Sequence, residues 1–100
     1  MRIYWSSIEY EYKESKNNLL GGFVYVFIKT SDVKNALEII LKEFKAEKLI
    51  PHDIEFIKPY NAETEWENAN RTKHYNKLYK SALKTSEIIF DDFYATKTKR

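Results

Sequence analysis

One hundred residues without a cysteine, carrying seventeen basic and fifteen acidic side chains, amount to one ordinary domain. The missing cysteines exclude disulfide frameworks, cysteine-bound metals and thiol nucleophiles together. A hydrophobic share of 43% excludes a disordered chain, and a net charge of +2 does not by itself mark a nucleic-acid binder.

No apolar run approaches the ~18 residues of a membrane span. The start, Met1 to Trp5, turns polar at Ser6, so no signal-peptide core is read and a cytoplasmic location without a membrane partner is expected. Lysine far outnumbers arginine, and residues with A/T-rich codons dominate. An A/T-rich microbial or phage gene is the expected source.

Ile8, Tyr10 and Tyr12 alternate with Glu9, Glu11 and Lys13, the period of a strand with one wet face. Ile3 and Trp5 have the opposite parity. Either Tyr4 continues the inward set, or a bulge at Ser6-Ser7 swaps the faces. Lys16-Asn17-Asn18 and Gly21-Gly22 bound a hairpin connection. Phe23 to Ile28 is apolar on both parities, which predicts a central strand covered on both sides.

Thr30-Ser31-Asp32 starts a helix whose inner arc holds Val33, Ala36, Leu37, Ile40, Leu41 and Phe44, with Ile39 off the arc. The helix ends near Lys48, ahead of Pro51. Asp53 to Lys58 is a short strand, and Pro59 implies that it lies at an edge or stops there. A second helix is expected over residues 71–85, with Tyr75, Leu78, Tyr79, Ala82 and Leu83 inward. Extending it backwards would put Trp66 on its outer face. A phase break at Asn68-Ala69-Asn70 is therefore expected, with a separate turn or short helix from Ala62 to Glu67.

Ser86 to Tyr94 closes the fold as a strand. Phe27, Ile40, Phe44, Phe56, Leu78 and Phe90 are the expected core. The reading is a single α+β domain over 1–96 with a frayed basic tail at 97–100. Its order, ββαβαβ, predicts a two-layer sandwich: a four-stranded, mainly antiparallel sheet with both helices on one face, ferredoxin-like or a close variant. Such a fold hosts unrelated functions.

Gly22 to Phe27 resembles the aromatic strand signature of the RNA-recognition motif, whose rings stack on unpaired bases. It departs from that pattern at Gly21, where a basic residue would stand, and at Val24, where Gly or Ala would. A buried central strand accounts for the same residues. Asp53, Glu55, Asp91 and Asp92, with Lys58, would suit a magnesium site if the fold gathered them. Glu55 and Lys58 lack the one-residue spacing that such nucleases use, and His52 and His74 lack a metal-binding spacing. No metal, cofactor or catalytic residue is assigned, and no enzyme activity is expected.

Two features suggest a binding surface. Lys73, Lys77, Lys80 and Lys84 fall within about 60° on one helix face, where they would meet phosphates or an acidic protein. Glu63, Glu65 and Glu67 surround Trp66, an aromatic ring in an acidic rim, as at an interface hot spot. Trp66 as a lid on the core is the first expectation for that residue. The expected function is a small non-enzymatic protein-binding module, of the class that includes toxin-immunity and anti-defence inhibitors. A nucleic-acid-binding module using the lysine stripe ranks second, and a regulatory homodimer formed through the sheet third.

Overall fold

Alternation near the N-terminus and the doubly apolar run after Gly22 become two long antiparallel strands, β1 (Arg2–Lys16) and β2 (Leu19–Thr30). A computed structural model describes residues 1–16, 19–63, 66–91 and 94–96. The connection at Asn17-Asn18, Glu65, Asp92 and the tail at 97–100 lie outside the described residues. Helix α1 (Val33–Ala46) follows, then β3 (Leu49–Pro59), helix α2 (Ala69–Leu83) and two short strands, β4 (Ile89–Phe90) and β5 (Tyr94–Thr96).

The sheet runs β3-β1-β2-β4 with every neighbour antiparallel, and β5 also pairs β2. The chain is thus a small α+β domain, with an order that a ferredoxin-like arrangement permits. Among the described residues no helix is long and apolar enough to cross a membrane.

The placement of the helices differs from the expected single face. Strand alternation sends Val24, Val26 and Ile28 into one core with Ala36, Ile40 and Phe44 of α1. Tyr25 and Phe27, on the other face of the same strand, enter a second core with Tyr75 and Ala82 of α2. The architecture is therefore three layers, helix, sheet and helix. The physical reason is the chain's own surplus of apolar residues: β2 is greasy on both parities, and each face requires a cover. β1 behaves likewise. Its register against β2 is unbroken from Arg2 to Glu11, so Tyr4 continues the inward set with Ile8 and Tyr10, and Ile3 and Trp5 face α2 without a swap at Ser6-Ser7.

Helix α1 starts after Thr30-Ser31-Asp32 as expected, but its cap is Asp32 rather than a hydroxyl with an acid in the first turn: the Asp32 carboxylate accepts from the Asn35 N–H at 2.8 Å. Its burial centres on Ala36, Ile40 and Phe44 and leans toward Ile39, which packs on the core. Val33, Leu37 and Leu41, expected inside, remain 46%, 37% and 45% exposed. The core is narrower than the apolar arc.

Strand β3 lies at an edge, as Pro59 implies, and its pairing with β1 shifts register twice. One shift lets Ile54 and Ile57, three residues apart, both reach the α1 core. The expected closing strand Ser86 to Tyr94 is instead two pieces, and β4 ends at Phe90. Of the expected core, Phe27, Ile40 and Phe44 are fully buried, whereas Phe56, Leu78 and Phe90 are half-buried because they lie near sheet or helix margins.

Candidate binding face

Helix α2 starts at the expected phase break. Asn68 has extended backbone, and its side-chain oxygen accepts from the Arg71 N–H at 2.8 Å. The chain ahead of the cap is held by Thr72, whose hydroxyl accepts from the Trp66 N–H at 2.8 Å. This turns the indole away from the outer face and onto the second core. The Trp66 ring lies 4.4 Å from the Tyr75 ring and edge-on to Trp5 at 5.4 Å. Its ring N–H donates to the Tyr60 hydroxyl at 3.2 Å. Trp66 is a lid on the core, half-buried rather than free.

Arg71 lies over part of that ring. Its guanidinium sits 5.3 Å from the Trp66 centroid and 5.7 Å from that of Tyr75, a cation over two π faces. It also donates to the Tyr75 hydroxyl at 3.4 Å, which raises the guanidinium pKa further. At the far end of α2, the Lys29 ammonium of β2 donates to the Leu83 carbonyl at 3.0 Å, satisfying one terminal acceptor.

The outer face of α2 carries the lysine stripe as expected, with Lys73, Lys77, Lys80 and Lys84 all exposed. With Trp66 and Glu67 they border an open groove of about 1150 Å³, whose walls also include His74, Asn76 and Ser81. Among the described residues none of the four lysines has a carboxylate within 4 Å. From Ala69 to Ser86 the sequence contains no acid, so nothing local offsets the charge. The pairs Lys73/Lys77 and Lys80/Lys84 are like charges at i,i+4, each costing a few tenths of a kcal/mol.

The expected acidic rim is only partly assembled. Glu67 borders the groove, but Glu63 does not; its N–H closes a turn onto the Asn61 side chain at 2.9 Å. Glu65 lies outside the described residues.

The other candidates separate in space. Asp53 and Glu55 belong to β3 and Asp91 follows β4, at opposite edges of the sheet. Three strand spacings, about 14 Å, divide those edges, so these acids form no common site. Among the described residues no three His, Cys, Asp or Glu side chains gather as a metal site. Two of the three rings of the aromatic strand pack inside the fold: Phe27 is buried, and Tyr25 stacks on Trp5 at 5.5 Å while meeting Tyr75 edge-on, whereas Phe23 is 37% exposed.

One pairing has no signal in the sequence. His74 Nε2 lies 2.6 Å from Asp91 Oδ1, joining α2 to the end of β4. The Asp91 side chain is fully buried and that of His74 is 43% exposed. Only the three-dimensional packing brings residues seventeen apart into contact. Arg71 over Trp66 is partly legible, because Arg71 and Tyr75 are an i,i+4 pair. No family model matches this chain, and neither a curated protein nor a solved structure shows significant similarity to it.

Proposed function

We propose that this chain is a small non-enzymatic protein-binding module acting by stoichiometric occupation, with the outer face of α2 as its interface. The observation that carries this reading is the row of four lysines without acidic partners among the described residues, beside a groove bounded by Trp66. Unpaired like charges on one helix are a standing cost that an anionic partner relieves on binding. Toxin-immunity and anti-defence inhibitors of microbes and phages are the functional class this profile fits.

Site-directed photo-crosslinking tests the reading. A photoreactive residue at position 77 should yield one discrete protein adduct in the source cell, lost when Lys80 is changed to Glu. The same residue placed at position 45 on α1 should give none. Adducts that nuclease treatment removes would refute the reading and favour nucleic acid.

A further inference from the structure

The spacing of the lysines carries more than their sign. At 1.5 Å per residue, Lys73, Lys77, Lys80 and Lys84 stand at intervals of about 6, 4.5 and 6 Å along one line, spanning about 16 Å. An extended chain offers side chains on one face only at multiples of about 6.8 Å. The uneven interval is that of another α-helix, whose side chains at i, i+4, i+7 and i+11 repeat it.

Nucleic acid fits this face less well. Single-strand binding draws much of its energy from rings on which bases stack. The rings near the groove already have partners: Trp66 packs on Tyr75, Arg71 lies over both, and Tyr75 also meets Tyr25 edge-on. A duplex presents two phosphate rows flanking a groove about 12 Å wide, and this face offers one row of cations.

Resting on the reading of α2 as a protein interface, we infer that its partner element is an acidic α-helix carrying carboxylates at i, i+4, i+7 and i+11. Such a helix lies along α2 with each carboxylate facing one lysine. The aliphatic stems of the lysines pack against it while their ammonium groups reach past to the acids. The helix runs antiparallel to α2, so that its dipole opposes that of α2. Its C-terminal end then lies toward the start of α2, where Trp66 and Glu67 border the groove.

The test uses a synthetic alanine-rich helical peptide with glutamates in that pattern, titrated into the full chain at low ionic strength. A control peptide of the same composition has its glutamates spread around the helix. The patterned peptide should bind about tenfold more tightly than the control, as four exposed ion pairs permit. The double change Lys77→Gln and Lys80→Gln should remove most of that advantage while leaving the circular dichroism spectrum unchanged. Equal binding of the two peptides overturns the inference, as does tighter binding of an oligothymidylate of equal charge. In either case a protein adduct at position 77 would still uphold the interface itself, so the two failures are distinguishable.

Discussion

Replacing Trp66 by alanine should cost about 3 kcal/mol of folding stability, although the residue lies outside every regular element. The magnitude follows from its contacts. The indole has two ring partners, Tyr75 and Trp5, and such pairs contribute ~0.5–1.5 kcal/mol each. Arg71 over its face adds ~0.5–1 kcal/mol, and the hydrogen bond to Tyr60 about 1 kcal/mol. These terms overlap, and the ring is only half-buried, which keeps the total below that of a fully enclosed tryptophan.

The assay is urea unfolding followed by far-ultraviolet circular dichroism, because the substitution removes one of the two tryptophans. For a domain of this size the midpoint should fall by roughly 1.5–2 M urea. Trp66→Phe keeps a ring against Tyr75 but loses the N–H, and should cost about 1–2 kcal/mol. A loss below ~1 kcal/mol for the alanine variant would refute the reasoning and return Trp66 to the surface. Iodide should quench Trp66 in the native protein less than it quenches a free indole.

Three further outcomes follow from the same packing. Phe44→Ala should lose ~3–5 kcal/mol in the same assay, since the ring is fully buried and meets Phe90 at 5.8 Å. Gly21→Ala should destabilise by ~1–3 kcal/mol, because the added carbon would fall 2.1 Å from the Tyr10 carbonyl oxygen, and the hairpin register must shift to admit it. Burial, aided by the Tyr12 hydroxyl, pushes the Tyr10 phenol well above its ordinary 10.0. The unfolded chain therefore releases that proton first, and stability falls as pH climbs past 10. Tyr10→Phe should flatten the fall in urea midpoint above pH 10 relative to the native chain. An identical fall in both would refute it.

The sequence was legible wherever one local rule decided the outcome. Thr30-Ser31-Asp32 announces the first helix start, because a side-chain acceptor beside unpaired N–H groups acts within three residues, and the helical phase of Trp66 announces the break at Asn68 before the second. Pro59 announced an edge for a similarly local reason. The two-sided apolar run at Phe23 to Ile28 already implied covers on both faces, yet element order alone suggested helices on one. The composition of the strand was the better guide, since burial of both faces is an energetic requirement and layer order is not. The site divides in the same way. The lysine stripe depends only on helix period, and it stands where the period puts it. The His74–Asp91 contact and the dispersal of the acids depend on which strands become opposite edges. No short window of sequence carries that information.

The wiring of the sheet also bears on how the chain assembles and where it first comes apart. Its two central strands are consecutive in sequence, so their ladder closes through a short loop at little entropic cost. Strand β3 then returns across α1 to the far side of β1. The pairing of Val26 with Phe90 must bridge most of the chain, and among the described residues the β4 ladder is two residues long. Contacts so distant in sequence form late and return little until the rest is in place. The same economy makes the β4 edge the first to open in the native state. The bond from His74 to Asp91 spans that seam, tying the end of β4 to the helix that bears the lysines.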